Sequence, residues 1–334
     1  AADGAQVLEL AEKENFEYAE VDDLGVVTEK DYTDYHIQHV LDLKLVNREA
    51  IAKANLKVVV DAVNSVGGIV IPRLLKALGV QEIIELNCEP TGKFQHNPEP
   101  IPENLTEISA KLKECHADLG IVVDPDVDRL ALVCENGEMF GEEYTLVAVA
   151  DYVLKHTPGN TVSNLSSSRA LKDIAERYGQ QYNAAAVGEV NVVAKMKETH
   201  TVIGGEGNGG VIYPESHYGR DALVGVGLFL SHYVAEGKKM TELKKDYPQY
   251  FISKNKITLS PAINVDKILE GLKVKYAREK VTDIDGVKID FERGWVHLRK
   301  SNTEPIIRIY SEAKDEAAAN ALAEEVIEAA KQLC

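Results

Sequence analysis

Two stretches of this chain, about a hundred residues apart, run through the same order of elements. In the first, Lys57 to Asp61 is an apolar run ending in a carboxylate. Asn64-Ser65 and Gly67-Gly68 then turn the chain, a helix reaches Leu78, Gly79 ends it, and Ile83 to Leu86 is a second strand. In the other, Thr161 to Leu165 is the strand, Ser166-Ser167-Ser168 the cap, Ala170 to Tyr178 the helix, Gly179 the stop and Tyr182 to Val187 the returning strand. Ser or Asn ahead of a helix takes up a free backbone N–H, and glycine behind it adopts the left-handed turn that ends it. Each stretch is thus a βαβ unit, in which the crossover helix makes the two strands parallel. A recurring unit predicts an α/β chain of two related domains rather than one continuous sheet, with a boundary near Lys155–Pro158, where His156-Thr157-Pro158-Gly159-Asn160 forms a turn cluster.

The flanks read differently. Residues 1 to about 36 give a short helix (Gln6 to Lys13), a small strand around Val26-Val27 and a polar passage, followed by helices over Asp31–Lys44 and Asn47–Lys53. Past Lys254 come a strand at Ile257–Leu259, a helix from Val265 to Leu272, strands at Val287–Ile289, Val296–Leu298 and Ile306–Tyr310, and a closing amphipathic helix over Asp315–Leu333. This predicts a small α+β C-terminal domain, and a division into 1–36, 37–156, 157–254 and 255–334. The chain opens Ala1-Ala2-Asp3, without Met and within a helical pattern, as the interior of a longer protein would.

A net charge of -17 argues against nucleic acid or an anionic membrane as the main partner. No apolar stretch approaches the roughly 20 residues that span a bilayer, and no signal-peptide pattern opens the chain. Cys88, Cys115, Cys134 and Cys334 are irregularly spaced, which fits a reducing cytoplasm, with the first three as core residues and the last on an exposed tail.

Three loops carry chemistry. In Gly120-Ile-Val-Val-Asp124-Pro-Asp126-Val-Asp128-Arg129, an apolar strand delivers three aspartates at alternate positions into a tight loop, and Leu130–Val133 continues as a strand. Such crowded carboxylates repel unless a hard cation joins them, and Mg2+ takes carboxylates together with phosphate oxygens and water. Arg129 adds a positive fork suited to a phosphoryl oxygen. An EF-hand is excluded by Arg129 at the position that needs Gly, and a solvated acidic turn fits poorly behind a buried strand.

The second loop, Gly204-Gly205-Glu206-Gly207-Asn208-Gly209-Gly210, lacks the Lys-Ser/Thr of a phosphate-cradling P-loop. It offers a carboxylate and a carboxamide, groups that suit sugar hydroxyls, although a flexible hairpin tip reads the same way. The third, Arg299-Lys300-Ser301-Asn302-Thr303-Glu304-Pro305, packs cations, hydroxyls and backbone N–H groups into one turn, an anion nest with Arg308 on the outgoing strand. Simpler readings suffice elsewhere: Asp285-Gly286 as a hairpin turn, His96 in a surface loop, and Asp221 as the N-cap of a helix to Tyr233.

The D-x-D-x-D-R, G-G-E-x-x-G and R-x-S-N-T-x-P loops, in that order, resemble those of the α-D-phosphohexomutase superfamily, the phosphoglucomutases and phosphomannomutases. The resemblance implies three related α/β domains and a smaller fourth, of which this chain holds the second to fourth and the tail of the first. By match, Asp124, Asp126 and Asp128 hold Mg2+, Glu206 and Asn208 select the sugar, and Arg299, Ser301, Asn302 and Thr303 grip the substrate phosphate. Gly188 and Glu189 match a further substrate loop. It implies a cytoplasmic enzyme moving a phosphoryl group between positions 1 and 6 of a glucose or mannose phosphate through a bisphosphate.

The family's phosphoserine loop and its lysine base belong to the first domain. His96-Asn97-Pro98 has Gln95 where Ser would stand, so the chain alone is expected to bind magnesium weakly and to be inactive. Ser301-Asn302-Thr303 resembles the hexose-phosphate enzymes more than the glucosamine branch, whereas Gly207-Asn208-Gly209-Gly210 departs from the common Ser-Gly-His ending and leaves the sugar open. A non-catalytic sugar-phosphate and Mg2+-binding fragment is the second reading. A haloacid-dehalogenase type phosphatase with Asp124 as nucleophile is disfavoured by the strand that follows directly.

Overall fold

The computed structural model describes residues 2–258, 264–300 and 306–333, which fall into two compact units, Ala1–Asp34 and Tyr35–Cys334. The first unit holds helix α1 (Ala2–Glu12) and a single 3-10 turn at Val21–Asp23, with no buried residue in either. The strand expected at Val26-Val27 does not form. Both side chains are about nine-tenths exposed (87% and 91%), and a strand needs a neighbour to bond to.

Most of α2 (Thr33–Leu41), which starts two residues later and ends three earlier than its pattern, lies in the second unit, followed by α3 (Arg48–Lys53), which Asn47 caps by accepting from Ala50 N–H. Then follow β1 (Lys57–Asp61), α4 (Gly67–Leu78), β2 (Glu82–Leu86), α5 (Thr106–Cys115), β3 (Leu119–Val123) and β4 (Leu130–Cys134). They build a sheet of order β2-β1-β3-β4, parallel except for β4. Val58, Val59 and Val60 are buried because α4 and α5 both pack on β1, which is why its sequence is continuously apolar.

After α6 (Glu142–His156), the order repeats with β5 (Thr161–Asn164), α7 (Ala170–Arg177), β6 (Tyr182–Ala185), α8 (Glu189–Glu198), β7 (Ile203–Glu206) and β8 (Gly210–Ile212). The sheet order is β6-β5-β7-β8, again with only the last strand antiparallel, so the internal repeat is real and longer than the βαβ units that revealed it. Helix α9 (Ala222–Glu236) and the short α10 (Met240–Lys244) follow. Both α6 and α9 are buried over most of their circumference, as helices apolar all round must be, and they pack on each other between the two sheets.

The serine caps depart from expectation. None of the three serines ahead of α7 is its N-cap, which is Arg169 without a side-chain cap bond; the Ser168 hydroxyl accepts Ala170 N–H at 3.1 Å from one residue further back. Ahead of α4, the Ser65 hydroxyl donates back to Ala62 C=O at 2.7 Å and meets Gly67 N–H only at 3.4 Å. Ser166 and Ser167 are engaged in contacts described below. Cys134 is buried, but Cys88, two residues past β2, and Cys115, the last residue of α5, are only half-buried at the edges of cores they pack against.

The C-terminal part is a five-stranded antiparallel sheet of order β10-β11-β12-β13-β9: β9 (Phe251–Thr258), β10 (Lys280–Thr282), β11 (Val287–Phe291), β12 (Gly294–Lys300) and β13 (Ile306–Ala313). Helices α11 (Val265–Lys275) and α12 (Glu316–Lys331) cover one face, burying Ile268, Leu272, Leu322 and Val326 against Ile289, Val296 and Ile309. Strand β9 starts six residues before its expected position, and β13 runs three residues further, because the two pair along their whole length from Phe251↔Ala313 to Thr258↔Ile306. The end of the expected β9 strand, Leu259, lies outside the described residues.

Candidate active site

The three-aspartate loop joins β3 to β4, whose register closes at Val123↔Leu130. Asp124 is buried, and its two oxygens organise the loop: Oδ1 accepts the N–H of Asp128 (3.2 Å) and Arg129 (3.0 Å), and Oδ2 accepts from Arg129 Nε at 2.6 Å. Val127 takes a positive φ of 61°, a conformation costly for a β-branched residue. It is held there by its buried side chain, by its N–H on Asp124 C=O (3.1 Å) and by its C=O, which accepts Ala222 N–H (3.1 Å) at the start of α9. The turn leaves Asp126 exposed and Asp128 half-buried, with a carboxylate oxygen from each of Asp124, Asp126 and Asp128 within 4.8 Å of the others.

Burial pushes the Asp128 carboxyl up to about 6; Arg220 opposes this, and the charges of Asp124 and Asp126 add to it. Burial likewise works against the charge on Arg129, but the bond to Asp124 together with the charges of Asp124, Asp128 and Glu99 outweighs it and leaves the guanidinium more firmly protonated than usual. An acceptor-only set in which Asp124 and Asp126 hinder the ionisation of Asp128 fits a hard divalent cation such as Mg2+.

The glycine-rich hairpin joins β7 to β8, the position in the second repeat that the aspartate loop holds in the first. The two loops touch: Leu130 N–H donates to Gly209 C=O at 3.0 Å, and Thr145 Oγ1 donates to Leu130 C=O at 2.8 Å. Gly209 is required there twice over, because φ is 88° and a Cβ would stand 2.4 Å from the Leu130 carbonyl oxygen. Gly207 lies against the half-buried Glu143, whose carboxylate a Cβ would strike at 2.0 Å. Glu143 accepts Ser168 N–H at 2.8 Å, and burial holds it well above the ordinary carboxyl range.

Glu206 is buried and already bonded. Its Oε1 accepts from Asn164 Nδ2 (2.8 Å) and Gly188 N–H (3.2 Å), and its Oε2 from Arg220 at 3.0 Å. Of about four acceptor positions on a carboxylate, these donors take three, so roughly one is left for a sugar hydroxyl. The Asn208 side chain accepts Gly210 N–H at 3.2 Å and steadies the hairpin tip.

Arg220, a residue that the sequence reading did not single out, links these parts. Its guanidinium contacts Asp128 Oδ2 at 2.5 Å, Glu189 Oε2 at 3.1 Å and Glu206 Oε2 at 3.0 Å. One planar fork therefore joins the aspartate loop, the glycine hairpin and the first turn of α8. Asn164 and Ser167 were also missed. Asn164 Oδ1 accepts from Ser166 N–H (2.9 Å) and Ser167 Oγ (3.2 Å), and Ser167 Oγ accepts Gly207 N–H at 2.9 Å. The only sequence signal for Arg220 was its place between the hairpin and the Asp221 cap.

Of the third loop, Ser301, Asn302 and Thr303 lie outside the described residues. Arg299, near the end of β12, lines a cleft of about 180 Å³ together with Arg129, Glu206, Asn208 and Lys254. Its Nε is buried and has no hydrogen-bond partner among the described residues, which is a costly state without an anion.

The C-terminal sheet reaches this cleft by docking on the β5–α7 turn. Ser166 Oγ bonds His297 Nδ1 (2.9 Å), Lys288 Nζ donates to Leu165 C=O (2.8 Å), and Arg169 N–H donates to Glu312 (3.1 Å). Asp285-Gly286 does turn β10 into β11, and Asp285 also accepts Val187 N–H at 3.0 Å, next to Gly188. Burial brings His297 down to about 4 and Lys288 to about 8. His96 is not a surface residue. Its side chain is 16% exposed, with Nε2 3.2 Å from Asp61 Oδ2 and Nδ1 2.8 Å from Asn97 C=O, because the proline-bounded loop folds back over the end of β1.

Three family descriptions match the chain: phosphoglucomutase/phosphomannomutase alpha/beta/alpha domain II over residues 31–137, alpha/beta/alpha domain III over 141–251, and the C-terminal domain over 253–329. A phosphoglucomutase/phosphomannomutase of Thermococcus kodakarensis is 37% identical over 93% of this chain and 68% of its own length. A phosphoglucosamine/phosphogalactosamine mutase of Sulfurisphaera tokodaii is 33% identical over 85% of this chain and 64% of its own length. The crystal structure of a phosphoglucomutase/phosphomannomutase family protein from Burkholderia thailandensis superposes with a TM-score of 0.83 at 28% identity, covering 99% of this chain and 70% of that one. The chain thus spans about two thirds of the length of such relatives, as 68% and 70% record. Repeated sheets, joined loops and the match over 31–329 agree: the chain belongs to the phosphoglucomutase/phosphomannomutase family.

Proposed function

We propose that this chain carries the metal, sugar and phosphate sites of a Mg2+-dependent phosphohexomutase, which moves a phosphoryl group between positions 1 and 6 of glucose or mannose phosphate through a bisphosphate. Residues 37–156 supply the metal loop, 157–254 the sugar loop and 255–334 the phosphate loop. The observation that carries the reading is convergence: Arg129, Glu206, Asn208 and Arg299, from three loops, line one cleft. Asp124, Asp126 and Asp128 are the residues that would hold Mg2+, which when bound stabilises charge on a phosphoryl group in transfer. Arg129 and Arg299 line the cleft as anion receptors, Glu206 accepts a sugar hydroxyl, and Gly188 and Glu189, tied to Glu206 directly and through Arg220, are substrate residues beside it. Ser301, Asn302 and Thr303 add donors for the phosphate.

The phosphoserine and the general base are expected outside this chain, so it binds without turnover. Calorimetry with glucose 1-phosphate, mannose 1-phosphate and glucosamine 1-phosphate in MgCl2, alongside a mutase assay, tests this. Binding of the first two, lost in Arg299→Met, is expected. Turnover by the chain alone would end the claim of inactivity, and preference for the glucosamine ester would favour the phosphoglucosamine branch, to which the Sulfurisphaera relative belongs by name.

A further inference from the structure

Beside Arg220 in the chain, at Asp221, a second group of donors meets at one point. Asp221 caps α9 with one oxygen, Oδ1 accepting the N–H of Leu223 (2.8 Å) and Val224 (3.0 Å). Its other oxygen, Oδ2, faces two imidazoles, His36 Nε2 at 2.7 Å and His217 Nε2 at 2.9 Å. His36 comes from α2 and His217 from the segment after β8, so helix, loop and helix cap each contribute one donor. The three ligand atoms lie within 4.8 Å of one another. A third ring, His39, stacks on His36 with centroids 6.1 Å apart and is itself held by Ser216 Oγ at 3.0 Å.

We propose that His36, His217 and Asp221 form a second metal site, for a zinc-class divalent ion and distinct from the aspartate loop. The chemistry of the donors separates the two. Imidazole nitrogen suits Zn2+, Co2+ or Ni2+, whereas an all-carboxylate loop suits Mg2+. Two nitrogens and one carboxylate oxygen make three protein ligands of a tetrahedral set, and the fourth position opens to solvent, since His36 and His217 are 34% and 43% exposed. Metal–ligand bonds near 2.0 Å require donors about 3.2 Å apart, so the two N–H···O contacts widen by only a few tenths of an ångström, with the imidazole protons carried at Nδ1. The backbone N–H groups on Asp221 Oδ1 supply the outer support that orients a ligating carboxylate. An ion there would tie α2 to the segment that carries Arg220.

The test uses the full chain in excess MgCl2, which occupies the aspartate loop, titrated with ZnCl2 by equilibrium dialysis and with CoCl2 by visible absorption. One retained equivalent of zinc and a Co2+ spectrum of low-symmetry nitrogen ligation are expected. His36→Ala and His217→Ala should each weaken zinc by at least about a hundredfold, more than loss of an outer-shell partner causes. His36→Gln keeps a donor to Asp221 and, checked for folding by circular dichroism, should still lose the ion. Folded wild-type chain that retains no zinc overturns the proposal, and so does unchanged zinc affinity in the folded His36→Gln chain. Sugar phosphate binding is measured separately, so either reading can fail without the other.

Discussion

At the scale of single residues, the site is held by charge arranged around Arg220. Replacing it by Met leaves Glu206 buried without its cation and Asp128 without its counter-charge, which should cost about 3 kcal/mol in a urea melt. Arg220→Lys should recover little, because a point charge cannot reach Asp128, Glu189 and Glu206 together. The proposed metal role of Asp128 predicts that binding is pH-dependent. With its carboxyl up to about 6, a proton competes with the cation below that pH, so Mg2+ affinity by calorimetry should be about tenfold weaker at pH 5 than at pH 7.5. An affinity flat over that range would remove Asp128 from the ligand set. The aspartates could be picked out because their spacing announces convergent carboxylates, and Glu206 because it stands in a glycine-rich turn. Arg220 was not, since its three partners come from distant stretches of chain and nothing local marks it.

Among elements, the two β-hairpin loops meet at Gly209. Gly209→Ala adds strain at φ 88° and a clash with the Leu130 carbonyl, whereas Gly179→Ala, at φ 66°, meets nothing within 4 Å. The second should cost about 1 kcal/mol from conformation alone and the first at least twice that, by denaturant midpoints. Equal costs would mean that the loops are not coupled there. The order strand, helix, Gly, strand could be read from the chain because periodicity and stop signals are local. The cap assignments failed for a reason that is also local in form but tertiary in cause. Ser166 and Ser167 have better partners in His297 and Gly207 than in the helix beside them.

Over the whole molecule, the C-terminal sheet is fastened to the second repeat by buried polar groups, Glu312 at their centre with Arg169 and Trp295. Burial holds His297 at about 4, against 6.5 for the free side chain. The unfolded chain therefore binds the extra proton between those values, so the stability this residue supplies is present above pH 6.5 and lost as pH falls toward 4. About 3 kcal/mol is at stake. His297→Gln should flatten that window relative to wild type in urea melts at pH 4.5 and 7, and equal slopes would refute the assignment. What the sequence determined by itself was the kind of most elements it marked, the internal repeat, the α+β character of the C-terminal domain and the residue types at three loops, because periodicity, turn chemistry and charge crowding act over a few residues. Which loops touch, that Glu206 has about one acceptor place left, that His96 folds onto Asp61, and that two histidines meet Asp221 were decided only in three dimensions. Those contacts join positions up to 185 residues apart, as His36 and Asp221 are, and a pairing across such a separation is set by packing that no local pattern records.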